Sequence, residues 1–246
     1  MEKINPDISL IIPAYNEEEN LVPLIDNLQN YIKRFKMNVE YLIVDDNSVD
    51  DTFKVGKQLE NRIKNLRIIK NKFPRGMGNG IRYGIKNAKG KIGVTVMADN
   101  VDDFSILPEF RRKIIVEGYN LVIGSRYIKP DNIKNVPFTY KFCTKLFVLC
   151  CHIFLNIPLK DLTNGYRAYK LDFVRKLPLK RGGYEFSTEL TFKTWFNGKK
   201  VCEVSSRHGK RLKGISKFTF RKTAPKFFDT FLEALIMRLF NKTKNI

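Results

Sequence analysis

The sequence predicts an α/β fold: a mostly parallel, Rossmann-like central sheet flanked by helices, with a C-terminal helical appendage. Short β-branched runs alternate with stretches whose apolar residues recur at helical spacing, and the early runs end in polar or acidic residues. Such alternation favours parallel strands joined by right-handed crossovers. A chain of 246 residues can bury a full core, and we divide it into a main domain, 1–222, and an amphipathic helix, 223–246.

The first half of the chain predicts three strands, each followed by a helix. The strands are placed at 8–13, 41–44 and 66–70, where apolar and β-branched residues concentrate. Pro13 marks the end of the first strand because it cannot donate a hydrogen bond to a ladder. The helices run to about residue 35, over 53–62 and over 76–88, and Gly90 follows the last of them.

A fourth predicted strand, beginning at Val94, delivers Asp99 to the carboxyl edge of the sheet, where ligands of open α/β sheets bind. Asp102 and Asp103 follow within one turn. Crowded carboxylates repel each other without a cation, and hard oxygen ligands suit Mg²⁺ or Mn²⁺. The alternative is a polar loop in which Asp102 or Asp103 caps the next helix. The residues of this stretch alone leave both interpretations open.

The second half predicts a helix at 108–117, a strand at 120–127, a short strand before residue 169, a helix around Glu189 and a last strand at 200–204. Arg126 ends its strand, where its planar fork can clamp a phosphate. A basic linker at 129–145 leads into the apolar run 146–155, which predicts either a core helix or a helix in a membrane interface. A cationic loop, 207–217, and an amphipathic helix, 227–240, complete the chain.

Composition narrows the classes of partner. The formal net charge of +20 requires an anionic partner, such as nucleic acid, lipid headgroups or a phosphorylated substrate. No helix-turn-helix or zinc-finger signature accompanies the charge, so we expect no nucleic-acid partner. The four cysteines form no C-x-x-C pair, which disfavours zinc and disulfides. The start of the chain lacks an apolar signal region, and the run 146–155 is too short to span a bilayer. We therefore expect a cytoplasmic protein, or one at the cytoplasmic face of a membrane.

The glycine-rich stretch 76–80 resembles a dinucleotide fingerprint only superficially. Its third glycine is misplaced, and it follows the third strand rather than the first, so a nicotinamide site is disfavoured. Arg75 before a helix N-terminus can still receive an anion. The double acid Asp45-Asp46 ends the second strand beside the expected position of Asp99, which makes both residues ligand candidates.

Taken in order, the motifs are more specific than any one of them. The series comprises Ile12-Pro13-Ala14-Tyr15-Asn16-Glu17, Val44-Asp45-Asp46-Asn47-Ser48, Gly76-Met77-Gly78-Asn79-Gly80, Met97-Ala98-Asp99, Gly124-Ser125-Arg126-Tyr127, residues 161–167 and Arg211-Leu212-Lys213-Gly214-Ile215-Ser216-Lys217. It resembles the family 2 glycosyltransferases over nearly the whole chain. Within them it is most similar to the polyprenyl-phosphate sugar synthases of the dolichol-phosphate mannose synthase type.

The resemblance implies a glycosyltransferase type A fold that binds a nucleotide-diphosphate sugar through Mg²⁺ or Mn²⁺. Asp99 matches the second acid of the family's Asp-X-Asp metal motif, and Asp102 and Asp103 are its candidate helpers. The implied nucleotide-sugar residues are Pro13, Tyr15, Asn16, Glu17, Asp45, Asp46, Arg75, Gly76 and Asp99. The implied acceptor-phosphate residues are Arg126, Arg211, Ser216 and Lys217, and the expected catalytic residues are Asp99, Asp103, Arg126, Glu189 and Arg211, with Glu189 in the active-site wall.

Two positions depart from the family pattern. Met97 stands where the first acid of the metal motif belongs, and a thioether does not ligate a hard cation. Between residues 140 and 145, where the family has an arginine for the acceptor phosphate, this chain offers Lys141 and Lys145.

The reaction implied is inverting transfer of a sugar, of the GDP-mannose or UDP-glucose class, to a polyprenyl phosphate. A phosphate is already anionic near neutral pH, so no strong general base is required. One alternative is transfer to a hydroxyl of a glycan or protein, with Asp103 or Glu189 as base. Another is a degenerate subunit that binds nucleotide sugar without turnover. A peripheral membrane location and a membrane-spanning partner subunit are further expectations.

Overall fold

The computed structural model describes residues 6–134, 136–211 and 219–243. These form a seven-stranded sheet with the strand order β3-β2-β1-β4-β6-β5-β7 and with helices on both faces. The strands are β1 (Ile8–Ala14), β2 (Val39–Asp45), β3 (Leu66–Lys70), β4 (Ile92–Thr95), β5 (Leu121–Ser125), β6 (Arg167–Lys170) and β7 (Val201–Ser205). The helices are α1 (Glu18–Arg34), α2 (Thr52–Arg62), α3 (Met77–Asn87), α4 (Leu107–Ile115), α5 (Phe138–Leu155), α6 (Leu171–Val174), α7 (Phe186–Phe196) and α8 (Phe220–Thr243).

The predicted α/β fold class is confirmed. Strands β1 to β4 pair in parallel, as does β5 with β7, while β6 runs antiparallel to both β4 and β5. The core lies in two layers, one on each face of the sheet. Leu21, Leu24 and Leu28 of α1 lie in one layer, and Ile81 and Ile85 of α3 lie in the other.

Strand β1 has β2 on one side and β4 on the other, so the chain reverses its direction of winding at β1. The pairing with β4 ends where Ile11 lies opposite Thr95, whereas the pairing with β2 continues to Ala14. Pro13 is therefore tolerated inside β1, because its missing N–H faces the side that β4 has already left. A crevice opens at this edge, which is the usual ligand position in such sheets.

Strand β4 and helix α5 differ most from the sequence prediction. Strand β4 ends at Thr95, and the chain then turns, with Asn100 in the left-handed region at φ 58°. Helix α5 begins at Phe138, so its first two turns lie in the stretch expected to be a basic linker. Its 18 residues have a mean hydropathy of 1.4, and among the described helices it is the one whose length and composition would allow a membrane crossing. The apolar segment is longer than the sequence indicated because Phe138, Phe142 and Cys143 extend it across the lysines.

The C-terminal helix α8 begins at Phe220, three residues before the predicted appendage. Ala234 and Thr230 are buried where α8 packs against α5 and α7. Rings from α5 and α8 meet edge to face, with Phe147 and Phe227 centroids 5.8 Å apart. The appendage is thereby attached to the main body beside the carboxyl edge of the sheet.

Candidate active site

Hydrogen bonds join the loops that follow β1 and β2. The Asn16 N–H donates to Ser48 Oγ at 3.0 Å, and the Glu17 N–H donates to Thr52 Oγ1 at 2.8 Å. Asn16 is in the left-handed region at φ 52°, which asparagine adopts more readily than most residues. These bonds fix residues 13–17 as one wall of the crevice.

Tyr15 and Arg75 come together above this wall. The Arg75 guanidinium donates to the Tyr15 hydroxyl at 2.9 Å and lies 4.8 Å from the centre of its ring. The hydrogen bond and the cation–π contact hold the guanidinium against the aromatic ring at this wall. The structure thus brings two of the expected nucleotide-sugar residues into contact across 60 positions of sequence.

The two acids at the end of β2 are buried and hold loops in place. Asp46 accepts hydrogen bonds from the Asn71 amide and from the Gly76 N–H, each at 2.7 Å, and Asp45 accepts one from the Ser48 N–H at 3.2 Å. Burial raises the pKa of Asp46, although these donors and Arg75 oppose the increase. The Gly76 N–H is therefore bonded to the protein's own Asp46 carboxylate. The expectation that this helix N-terminus and Arg75 receive an anion stays a prediction.

Glu189, which we expected in the active-site wall, is not among the residues that line the cavity described below. Its carboxylate is 2% exposed and is neutralised by Lys193 at 2.6 Å. It also accepts the Arg181 N–H at 2.9 Å, which fixes the loop containing Gly182. The Gly182 carbonyl in turn accepts the Asn79 N–H at 3.2 Å. Glu189 therefore supports the glycine-rich loop indirectly, because its carboxylate is taken up by Lys193 and by the N–H groups of Lys180 and Arg181.

Asp99 lies in the crevice between the ends of β1 and β4. Its Oδ2 accepts a hydrogen bond from the Arg211 guanidinium at 2.5 Å, while its Oδ1 is buried and accepts no hydrogen bond of normal geometry from the described residues. Burial raises the pKa of this carboxyl; Arg211 opposes the increase and Glu17 adds to it. The Val101 N–H also lies near enough to the carboxyl to lower its pKa. A carboxylate oxygen without a normal hydrogen bond at this edge is suited to a hard cation.

Asp102 and Asp103 do not join Asp99 in a three-carboxylate cluster. Within the described ranges, no three His, Cys, Asp or Glu side chains converge as a metal site. Asp103 caps the short 3₁₀ helix at 104–106 by accepting from the Ser105 N–H and also accepts the Arg207 N–H at 3.3 Å. Asp102 accepts the Met97 N–H at 2.8 Å, and burial raises the pKa of Asp102 well above its ordinary value. The capping interpretation is therefore right for Asp103, whereas Asp102 still borders the crevice.

Arg126 is held rigidly by a buried partner. Asp161 is fully buried and accepts from Arg126 Nε at 2.7 Å and from an Arg126 terminal nitrogen at 2.9 Å, and the same terminal nitrogen donates to Thr163 Oγ1 at 2.8 Å. Burial alone would raise the pKa of Asp161, but the Arg126 charge and hydrogen bonds outweigh it and lower the pKa. The Asp-x-Thr-Asn sequence at 161–164 is a signal for this turn, since Asp161 also accepts the N–H groups of Thr163 and Asn164.

A cavity of about 960 Å³ begins at Asp99 and Arg126. His208, which sequence reasoning missed, also borders its polar end, and burial together with the nearby Arg126 lowers the pKa of His208 to about 4. The cavity then continues as an apolar arm between α5 and α8. The side chains of this arm are Tyr140, Cys143, Leu146, Phe147, Cys150, Phe227, Phe228 and Phe231. Helical periodicity across 138–155 is the signal that would have revealed the arm.

Two expected acceptor residues, Ser216 and Lys217, lie outside the described residues. A third expected acceptor residue, Arg211, forms an ion pair with Asp99 at the donor side of the cavity. Arg126 is at the polar end of the same cavity. Asp99 from the expected donor set and Arg126 and Arg211 from the expected acceptor set thus line one cavity.

Known proteins resemble this chain in both sequence and fold. A family model described as Glycosyl transferase family 2 matches residues 9–177. Dolichol-phosphate mannosyltransferase from Pyrococcus furiosus is 30% identical over 212 residues, which cover 85% of this chain but only 58% of the length of that relative. Undecaprenyl-phosphate mannosyltransferase from Micrococcus luteus is 30% identical over 218 residues, covering 85% of this chain and 86% of that protein.

The fold is also shared with a solved structure. The complex of glucosyl-3-phosphoglycerate synthase from Mycobacterium tuberculosis with Mn²⁺, uridine diphosphate and phosphoglyceric acid aligns over 94% of this chain and 78% of that one, with a TM-score of 0.68 and 17% identity. At that identity the likeness concerns the fold alone. Because the family model covers more than half of the chain, and because the sheet and its carboxyl-edge crevice agree with it, this chain belongs to glycosyltransferase family 2 and is a glycosyltransferase with the type A fold.

Proposed function

We propose that this glycosyltransferase moves a sugar, with inversion, from a nucleotide-diphosphate sugar of the GDP-mannose or UDP-glucose class to a polyprenyl phosphate at the cytoplasmic face of a membrane. The observation that carries the proposal is the cavity. Its polar end contains Asp99 and Arg126, and its other end is an apolar arm between α5 and α8. A phosphate attached to an isoprenoid chain has the same division into a charged head and an apolar tail.

The donor half of the proposal rests on the crevice at β1, β2 and β4. Residues 13–17 and the Tyr15–Arg75 pair would bind the nucleotide, and Asp99 would hold Mg²⁺ or Mn²⁺ together with the donor's diphosphate. Such ions bind through one or two carboxylates plus substrate phosphates. Asp99 alone, without the first acid of the Asp-X-Asp motif, therefore provides the minimum of one carboxylate ligand. The ion would neutralise the charge of the departing nucleoside diphosphate. The similar synthase from M. tuberculosis was crystallised with Mn²⁺ and uridine diphosphate.

The acceptor half rests on Arg126 and on the state of the candidate bases. Arg126 is pre-oriented by Asp161, so little conformational freedom is lost when it meets a phosphate. A hydroxyl acceptor would need a general base. Asp103 is engaged as a cap, and Glu189 is buried against Lys193. Both residues that were candidates for that base are thus occupied, which favours an acceptor that is already anionic. The relatives from P. furiosus and M. luteus are named for transfer to dolichol and undecaprenyl phosphates.

The membrane location rests on the outer faces of α5 and α8. Leu146, Leu149 and Ile153 of α5 are each more than half exposed, and so are Ile236 and Leu239 of α8. Lysines and arginines flank these faces, and each basic side chain near an anionic leaflet contributes about 1 kcal/mol. A membrane-spanning partner subunit would cover the same surface, and it is the alternative occupant.

A substrate screen tests the reaction. The full chain is incubated with Mn²⁺, each common nucleotide sugar and either a polyprenyl phosphate or free sugars as acceptors. We expect radiolabel to enter the lipid fraction with a single donor. Transfer to free sugars instead would establish the hydroxyl-acceptor reaction, and donor binding without any transfer would establish the degenerate subunit; either result overturns the proposal.

Vesicle binding tests the membrane surface. Leu149→Asp should weaken binding to anionic vesicles about tenfold or more, because a Leu buried in the interface contributes about 1.5–3 kcal/mol. Val116→Asp is the matched control, since Val116 is 75% exposed, gains the same charge and lies outside α5 and α8. Equal losses in both variants would show that charge alone, and not this face, governs binding.

A further inference from the structure

The Asp99–Arg211 ion pair joins the proposed metal ligand to a residue 112 positions away. The Arg211 guanidinium lies 2.5 Å from Asp99 Oδ2, and the side chains are 25% and 13% exposed. Oδ1 of the same carboxylate is buried, and among the described residues no side chain or N–H makes a hydrogen bond of normal geometry to it, although the Val101 N–H lowers the pKa of the carboxyl. One oxygen of the carboxylate therefore carries a cation while the other is left for a ligand.

The charges around Asp99 explain why a cation lies there. Burial and the neighbouring Glu17 both disfavour the ionised carboxylate, and Arg211 favours it. A divalent ion on Asp99 would supply the same neutralisation more strongly. It would also repel a guanidinium only 2.5 Å from Oδ2. Arg211 and a metal ion are thus competitors for one carboxylate.

We propose that Arg211 neutralises Asp99 in the ligand-free protein and moves from Asp99 to the donor's diphosphate when metal and donor bind. This inference rests on the proposed function, since it takes Asp99 as the metal ligand. It changes the role expected for Arg211, which becomes a residue of the donor side rather than of the acceptor phosphate. The metal alone binds weakly because it must displace Arg211. Metal and nucleoside diphosphate bind cooperatively because the diphosphate gives Arg211 a new anionic partner.

Binding of Mn²⁺ alone, followed by electron paramagnetic resonance of the free ion, tests the competition without any sugar transfer. We expect Arg211→Gln to bind Mn²⁺ about tenfold more tightly than the wild type, a change of about 1.4 kcal/mol. Lys210→Gln is the matched control, because it removes the same charge from the adjacent cavity residue. That variant should stay within about threefold of the wild type, an effect under about 1 kcal/mol.

The same titration is then repeated with saturating GDP or UDP, whichever the wild type binds more tightly. The nucleotide should raise the Mn²⁺ affinity of the wild type about tenfold more than that of Arg211→Gln, since only the wild type has Arg211 to transfer. The double variant Asp99→Asn, Arg211→Gln should not show the increase in Mn²⁺ affinity that we expect for Arg211→Gln alone. Arg211→Lys provides a second test if the glutamine variant does not fold, and it should fall between the wild type and the glutamine variant.

Unchanged or weaker Mn²⁺ binding in a folded Arg211→Gln variant would overturn this inference, and so would an equal gain in Lys210→Gln. Neither result would contradict the proposed sugar transfer, because the substrate screen measures that reaction separately. Conversely, a chain that shows the Mn²⁺ effect but transfers no sugar would retain the ion-pair exchange and lose the proposed function.

Discussion

Replacing Asp161 by asparagine removes the negative charge that holds Arg126 while preserving the size of the side chain. Asp161 is fully buried and Arg126 keeps only 15% of its side chain exposed. Breaking a buried ion pair by removing one partner costs about 3–5 kcal/mol, because the remaining charge is left uncompensated. We expect a loss of about 3 kcal/mol in the free energy of unfolding, at the lower end because Arg126 retains some contact with water.

Urea denaturation followed by circular dichroism measures this loss, and the melting temperature should fall by about 6–12 °C for a chain of this size. Asp131→Asn is the matched control. Asp131 pairs with Lys134 at 3.1 Å, but both side chains are more than 70% exposed. Such a surface pair contributes about 0–1 kcal/mol. A loss below about 1 kcal/mol in Asp161→Asn would refute the conclusion that this buried pair fixes Arg126.

The difference in the free energy of unfolding between the wild type and Asp161→Asn should also depend on pH. The pKa of Asp161 is lowered in the folded protein from its ordinary value of 3.8. The stability contributed by the carboxylate is therefore fully present above pH 3.8 and is lost as the pH falls through the lower, folded-state pKa. The denaturation curves of the two proteins should therefore lie far apart at pH 7 and approach each other as the pH falls from 3.8 through the folded-state pKa. A gap that widens in acid would contradict this assignment.

Three further predictions concern the crevice. Asp99→Ala should abolish turnover of a nucleotide sugar with little change in melting temperature, and full activity with radiolabelled donor would exclude Asp99 as the metal ligand. Gly78→Ala should lower stability and weaken donor binding in calorimetry, because a Cβ there would lie 2.6–2.7 Å from Phe186 Cβ and from the carbonyls of Arg181 and Gly183. Gly80→Ala, whose nearest neighbour would be Pro13 Cβ at 3.5 Å, should instead stabilise α3 by up to about 1 kcal/mol. Arg126→Lys should raise the KM for polyprenyl phosphate more than the KM for donor, since lysine lacks the planar fork; equal changes in both constants would argue against a phosphate contact.

Local sequence was sufficient to predict the alternating strands and helices and the parallel pairing of the first four strands. Their apolar periodicity and the positions of Pro13 and Gly90 are properties of short segments. The same reasoning placed Asp45, Asp46 and Asp99 at one edge of the sheet, because parallel strands bring their carboxyl ends together. Helix α5 was the main error. The lysines at 141 and 145 obscured an apolar face that only the full helical register reveals.

The partners of the charged groups were decided only by tertiary structure. The cap made by Asp103 is a local contact with the Ser105 N–H, which the sequence offered, and folding adds the distant Arg207 N–H to it. Glu189 became a buried anchor because the Arg181 N–H and Lys193 surround its carboxylate in the folded chain. Arg126 met Asp161 across 35 positions, and Arg211 met Asp99 across 112. A carboxylate's role depends on which cation or N–H lies within about 3 Å of it in the folded chain. The sequence is therefore sufficient to predict that Asp99 lies at the edge of the sheet, whereas only the tertiary structure shows that Arg211 forms an ion pair with it.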